Sequence, residues 1–390
     1  MSDHLVTAYQ PLPVSFVRGA GCYLWDSDER QYLDALSGIS VTSLGHCHPA
    51  VTAALREQAG TLLHTSNLYT VGWQQKLADL LCAEARMDRV FFANSGAEAN
   101  EAAIKLARLF ASRRGIANPQ IVVMQQAFHG RTMATLSATG NRKVQAGFEP
   151  LVSGFVRAPY NDIAAIEAIA ANNRNVVAIL VEPVQGEAGI VIPERGYLRA
   201  LRRICDRNDW LLMLDEIQTG MARSGKLFAH QHEDILPDVM TLAKALGNGV
   251  PIGACVTAGE AAQTIQPGNH GSTFGGNPLA CRAACAVIET LLADDIAENA
   301  AARGAQLFEL MQQGLSDNRE VAEIRHLGLL FAIEMRQSCP DLVTRALRQG
   351  LLINVTAGKV IRLLPPLIID SEQTAELARL LIACINNSDG

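Results

Sequence analysis

Several features that would assign this chain to a broad functional class are missing from it. No apolar run is long enough to span a bilayer. The opening Met1-Ser2-Asp3-His4 brings neither a basic stretch nor an apolar one, so no secretory leader is expected. The nine cysteines never fall into Cys-x-x-Cys spacing, and Cys205, Cys255, Cys281 and Cys285 lie in apolar runs, which reads as reduced core thiols in a cytoplasmic protein. Internal repeats, low-complexity tracts and long charge runs are also missing. Charged residues make up only 18% and the net charge is −6, which excludes a general nucleic-acid binder. Neither a membrane nor a nucleic-acid partner is expected. His46-Cys47-His48 has the residue types of a metal site. Pro49 follows directly, however, and no second ligand cluster accompanies it, so a turn is expected and no metal.

What is present is apolar and long. At 390 residues and 49% hydrophobic, the chain can bury a large core and exceeds one ordinary domain. From about residue 91 to 257, strand-like runs alternate with helix-like stretches: Val90–Ala93, Ile121–Met124, Val176–Glu182, Leu211–Asp215, Val239–Leu242 and Ile252–Thr257. That alternation predicts an α/β fold with a mostly parallel central sheet covered by helices. Tyr23-Leu24-Trp25-Asp26 to Tyr32-Leu33-Asp34 reads instead as a hairpin. The last hundred residues read as helices near Asn277–Ala293 and Ile296–Leu315, strands near Leu329–Glu334 and Val360–Leu364, and a closing helix from Ser371. The expected division is a large domain over 46–276 and a smaller α+β domain built from the termini, 1–45 with 277–390.

Chemistry-bearing residues gather at the expected strand ends, where open α/β sheets place ligands. Asp215 ends one apolar run and Lys244 follows the next. A lysine that can form a Schiff base and an acid that can hold a pyridinium nitrogen are what pyridoxal phosphate requires; a buried ion pair fits the two residues equally well. Asn94-Ser95-Gly96-Ala97-Glu98 opens a helix with capping-box spacing between Ser95 and Glu98. Its free N–H groups suit a phosphate, or the stretch is an ordinary capped helix. Phe128-His129-Gly130-Arg131 offers an aromatic face and a carboxylate-gripping guanidinium, or a core Phe beside a surface Arg. Glu182 and Glu187 bracket a glycine-bounded loop. Paired-carboxylate glycoside hydrolysis could use two such acids, but it leaves Lys244 and the Ser-Gly helix start unexplained. Gly271-Ser272-Thr273-Phe274-Gly275-Gly276-Asn277-Pro278 is another polar loop leading into a helix. Arg362, inside an apolar strand, needs a partner, and Glu187 is the one expected.

Taken together with Gly45-His46-Cys47-His48-Pro49, Pro159-Tyr160-Asn161-Asp162 and Arg362-Leu363-Leu364-Pro365-Pro366, these motifs resemble the subgroup III, fold-type I pyridoxal-phosphate aminotransferases over nearly the whole chain. Within that family the resemblance is nearest to members acting on acetylornithine. It implies pyridoxal 5'-phosphate as cofactor, with Lys244 as covalent anchor and proton shuttle, Asp215 on the pyridinium nitrogen, Gln218 on the ring hydroxyl and Phe128 stacked on the ring. Ser95, Gly96 and Ala97 would hold the phosphate of one subunit, and Ser272 and Thr273 would reach that of the other, so a homodimer with shared sites is implied. Arg362 would bind the α-carboxylate of glutamate and Arg131 the distal carboxylate, with Glu187 neutralising Arg362 when an ω-amine is bound. The implied reaction is transfer of the δ-amino group of N2-acetyl-L-ornithine to 2-oxoglutarate, giving N-acetyl-L-glutamate 5-semialdehyde and L-glutamate, a step of arginine biosynthesis. Succinylornithine or N-succinyl-diaminopimelate as donor, or aminomutase or racemase chemistry on the same fold, are the alternatives. Three departures from the family pattern stand out: Asp28-Glu29-Arg30 lacks the usual turn glycine, Asn248 replaces a glycine, and Ala97 stands where threonine is frequent. Ile39 occupies a position where ornithine-specific relatives carry a tyrosine, and an apolar residue there suits an acylated α-amine.

Overall fold

The computed structural model describes residues 4–386; Met1, Ser2 and Asp3, read above for a leader, lie outside them, as do 387–390. At its centre is a seven-stranded sheet in the order Arg89–Ala93, Gly253–Thr257, Val239–Leu242, Leu211–Asp215, Val176–Val181, Gln120–Met124, Phe155–Ala158. Gly253–Thr257 runs antiparallel to both neighbours, and the remaining pairs are parallel. The sheet is therefore mostly parallel, as the alternation of runs predicts.

Parallel strands covered on both faces have no polar side to show. Val176–Val181 is accordingly buried at every position. Alternate residues feed opposite cores. Leu211 and Met213 pack with Ala103, Leu106 and Phe110 of the helix Gly96–Arg113. Leu212 and Leu214 pack with Leu198, Leu201 and Ile204 of the helix Tyr197–Asn208.

Two four-stranded sheets flank this core. One holds Phe16–Ala20, Tyr23–Asp26 and Gln31–Asp34, and takes Leu351–Leu352 as a parallel edge through Leu33 and Leu351. The early and late parts of the chain thus share one sheet. The other is antiparallel and orders Val321–Leu327, Leu330–Met335, Val360–Leu363 and Asn354–Thr356. Glu29, where the turn glycine is lacking, has φ 64°; Asp26 Oδ1 supports that turn by accepting from Asp28 N and Arg30 N. No helix among the described residues is long and apolar enough to cross a membrane.

Candidate active site

A cavity of about 460 Å³ opens at the carboxyl ends of the parallel strands. Its walls contain Ser95, Gly96, Ala97, Phe128, Arg131, Glu187, Asp215, Gln218 and Lys244, so nine of the site residues expected from sequence come together there. Lys244 follows the strand Val239–Leu242 with φ 45°, and opens a short 3-10 turn. Burial brings its ammonium down to about 8; Glu187 opposes that fall and Arg362 adds to it. A lysine so placed becomes a neutral amine above about pH 8, well below the ordinary lysine range.

Asp215 is buried at the end of its strand. Its Oδ2 receives His129 Nδ1 and Asn100 Nδ2, both at 2.8 Å, and its Oδ1 receives Ile217 N at 3.1 Å. Against a carboxylate oxygen, Nδ1 is the proton-bearing nitrogen of His129. Glu182, at the next strand end, accepts from Phe128 N and Gly186 N. Burial pushes its carboxyl up to about 7, with His129 opposing and Asp215 reinforcing the shift.

Arg362 is fully buried and fixed by three acceptors: Asn354 Oδ1 at 3.1 Å, Gly186 O at 3.3 Å and Glu187 Oε1 at 2.6 Å. Burial alone would raise the Glu187 carboxyl, but the Arg362 guanidinium, with Lys244 and the Gln218 amide, outweighs it and holds the group below its ordinary range. Arg131 is exposed, its guanidinium 5.7 Å from the centre of the Phe128 ring.

The helix Gly96–Arg113 points its N-terminus at the cavity. Ser95 Oγ accepts from Glu98 N at 3.2 Å, and the Glu98 carboxylate reaches Asn94 N rather than the Ser95 N–H of a strict capping box. Gly96 permits close approach here: a Cβ on it would lie 2.8 Å from Ile217 Cδ1. Gly186 does the same for Gln218, whose Oε1 would be 2.1 Å from such a carbon. That Oε1 is buried and has no hydrogen-bond partner among the described residues. An orphaned acceptor in the wall, an acid at one strand end, an amine at the next and a helix N-terminus fit a hydroxylated, phosphorylated pyridine carrying an aldehyde.

Ser272 and Thr273 are not in this wall. Thr273 is exposed, and Ser272 Oγ accepts at 3.2 Å from Nδ2 of Asn94, which lines the cavity. Ile39 packs on the cluster of Val184, Ile190, Leu330 and Leu364, and Val41 is the residue of that segment that lines the cavity. The segment itself is unusual: Ser37, Gly38, Ile39 and Ser40 all have φ between 52° and 67°, a complete left-handed turn. Each non-glycine residue so placed costs about 1–2 kcal/mol. Asp34 Oδ1 supports it by accepting from Leu36 N and Ser37 N. Arg223, fully buried, donates to Ser40 Oγ, Ser43 Oγ, Leu329 O and Pro365 O. His46 Nε2 lies 2.8 Å from the other Asp34 oxygen, so the His-Cys-His stretch serves this frame. Asn248, at φ 45°, accepts from Leu44 N and donates to Gly45 O, tying the lysine loop to the same segment. Sequence reasoning assigned no role to Asn100, Arg223 or Val41, since none carries a motif that marks it.

A model of class-III aminotransferases matches residues 6–385. An acetylornithine aminotransferase of Nitrosomonas europaea is 53% identical over 98% of this chain and 98% of its own. Among solved structures, the ornithine aminotransferase of Toxoplasma gondii superposes with a TM-score of 0.95 at 34% identity, covering 98% of this chain and 92% of that one. The acetylornithine aminotransferase of Elizabethkingia anophelis gives 0.89 at 36% identity, covering 98% and 96%.

Proposed function

The chain belongs to the class-III aminotransferases, and from that premise we propose that it transfers the δ-amino group of N2-acetyl-L-ornithine to 2-oxoglutarate, with pyridoxal 5'-phosphate as cofactor and in the cytoplasm. The observation that carries this reading is the Arg362–Glu187 pair, 2.6 Å apart, with Glu187 in the wall of the cavity that holds Lys244. One pocket thereby meets two substrates of different charge: with Glu187 displaced, Arg362 binds a carboxylate; with Glu187 in place, the same region is neutral towards an ω-amine. The names of the relatives in the acetylornithine branch support the choice of donor.

When bound, the cofactor supplies an electrophilic aldehyde and an electron sink. Asp215 Oδ1 would meet the ring nitrogen and Gln218 Oε1 the ring hydroxyl, with Phe128 against the ring face. The N–H groups of Gly96 and Ala97, with Ser95, would hold the phosphate at the helix N-terminus. Lys244 Nζ, as the neutral amine, would be the covalent anchor for that aldehyde and, when free, the acid–base group that holds and moves the proton. Arg131 would hold the far carboxylate, that of glutamate or of the acylated amino acid.

We place Ser272 and Thr273 in the site of a second copy. Exposed apolar side chains at Leu62, Leu63, Leu68, Tyr69 and Phe274 support a homodimer through that face. Asn67 ties the two segments by donating to Ser272 O and Gly275 O. The nine free thiols agree with a reducing compartment.

Single-turnover absorbance of the cofactor-loaded protein with N2-acetylornithine, ornithine and N-succinyl-diaminopimelate in parallel tests the reading. Acetylornithine should discharge the visible band fastest; a faster succinylated donor would replace it as substrate, and absence of any cofactor band would overturn the reading. Initial rates should give parallel double-reciprocal lines; converging lines count against a ping-pong transfer.

A further inference from the structure

Asn100 lies on the helix Gly96–Arg113, fully buried beneath the ends of two neighbouring strands. Those strands bring Asp215 and Thr241 into direct register. The Asn100 Nδ2 donates to Asp215 Oδ2 and to His129 O, each at 2.8 Å, and its Oδ1 accepts from Thr241 Oγ1 at 2.8 Å. The amide can face only one way. Reversed, its oxygen would confront a carboxylate and a carbonyl with no proton between them. Thr241 completes the orientation by donating its hydroxyl proton to the opposite side.

Three consequences follow from this geometry. Asp215 Oδ2 is already engaged by two donors, Asn100 and His129, which leaves Oδ1, bonded only to Ile217 N, as the oxygen free to meet a ligand. The same amide group holds the main chain of His129, and so the loop carrying Phe128 and Arg131 at the cavity wall. His129 Nε2, buried, has no hydrogen-bond partner among the described residues, so the hydrogen bonds that set its register are the Nδ1 contact with Asp215 and those of its own backbone. Asn100 is joined to both Asp215 and the His129 main chain.

We propose that Asn100 is a positioning residue for the cofactor's ring nitrogen, oriented by Thr241, that selects which Asp215 oxygen is presented and locks the Phe128 loop in step with it. This rests on the reading of the cavity as a pyridoxal-phosphate site. Asn100 does not touch the cavity; it acts through Asp215 and His129. A hydrogen bond to a charged group that is lost on truncation corresponds to roughly 10- to 100-fold in binding.

The experiment compares wild type with Asn100→Ala, Asn100→Asp and Thr241→Val. Cofactor-free proteins are dialysed against pyridoxal phosphate to obtain Kd, and the visible absorbance of each loaded protein is titrated with pH. Asn100→Ala should weaken binding roughly 10- to 100-fold and displace the spectral midpoint by about half a unit or more. Asn100→Asp, which loses the donor and sets a second carboxylate beside Asp215, should weaken it further. Thr241→Val keeps Asn100 but frees its amide, and should move both readouts the same way by less. Thermal midpoints recorded alongside separate this role from a merely structural one. Kd within twofold of wild type and an unmoved spectral midpoint in Asn100→Ala overturn the proposal, even if the protein melts earlier. Failure of wild type itself to bind pyridoxal phosphate overturns the cofactor reading, which is a distinguishable result.

Discussion

Arg362 and Glu187 form an ion pair of 2.6 Å in which one side chain is 1% exposed and the other 38%. The guanidinium is held by Asn354 and the Gly186 carbonyl as well, whereas the carboxylate sits at the cavity wall. An exchange of partners at this pair would therefore move Glu187 rather than Arg362.

Glu187→Ala should expose that fixed cation permanently. Single-turnover rates with the ω-amine donor are expected to fall roughly tenfold or more, as for truncation of one partner of a charge pair, while the glutamate half-reaction stays near wild type. Equal losses in both half-reactions would reject a movable Glu187.

Lys244→Ala should lower turnover by about 10²- to 10⁴-fold, the usual worth of a positioned acid–base group, or more if covalent anchoring also contributes. Noncovalent cofactor binding should persist, and a near-wild-type rate would dismiss Lys244. In wild type, the ammonium at about 8 gives a pH test on the cofactor-free protein. Below that value the amine is charged and unreactive, so capture of pyridoxal phosphate should accelerate as pH rises through about 8 and then level off. Stability carries the same sign. Between about 8 and the ordinary lysine value of 10.5, the unfolded chain holds a proton that the folded one has shed, so this group makes stability rise with pH across that window. A capture rate independent of pH from 6 to 9 would contradict the lowered value.

Gly186→Ala places a carbon 2.1 Å from Gln218 Oε1. The flexible amide can yield only by leaving its position in the wall. Cofactor affinity should fall about tenfold, the worth of one hydrogen bond, with little change in melting temperature. Unchanged affinity would place Gln218 outside the cofactor's reach.

Arg223→Lys retains the charge but loses the planar fork that serves two hydroxyls and two carbonyls. Denaturant unfolding should show a loss of about 2–4 kcal/mol. Ser40→Ala removes one contact, and should relax discrimination between acylated and free ω-amines more than it lowers stability. Selectivity identical to wild type would detach the left-handed turn from substrate choice.

Much of this architecture is written locally. The runs Leu211–Asp215 and Val239–Leu242 are buried at every position and almost wholly apolar because both faces are covered, and such runs are visible in a single chain. The hairpin around Asp26 and the closing helix from Ser371 are local elements of the same kind. Direction is not visible: nothing in Gly253–Thr257 says that it inserts antiparallel between Arg89–Ala93 and Val239–Leu242. The edge strand Phe155–Ala158 is short and interrupted by Arg157, whose guanidinium turns aside to the carbonyls of Ser137 and Ala138, so it lacks the uniform pattern that marks its neighbours. In the candidate site, residues at strand ends and in glycine loops stood out because reactive side chains are conspicuous there. Asn100 and Arg223 did not. Their roles rest mainly on contacts with residues distant in sequence, over a hundred positions away for Asn100 with Asp215 and for Arg223 with Pro365, and an asparagine in a helix or an arginine after a turn has no local signature of such partners.

The left-handed turn at 37–40 also sets an order of assembly. A chain is made from its N-terminus, and domains fold as their residues become available. The turn emerges early, yet its braces come from Arg223 and from carbonyls at 329 and 365. A nascent chain that has reached the end of the central sheet at Thr257 already holds the amine, the acid and the helix N-terminus. It lacks the carbonyls that secure Arg223 and, through it, the wall beside Val41. Lys244, Asp215 and the start of the helix Gly96–Arg113 are thus synthesised well before the carbonyls of Leu329 and Pro365 that secure Arg223 and the turn it braces.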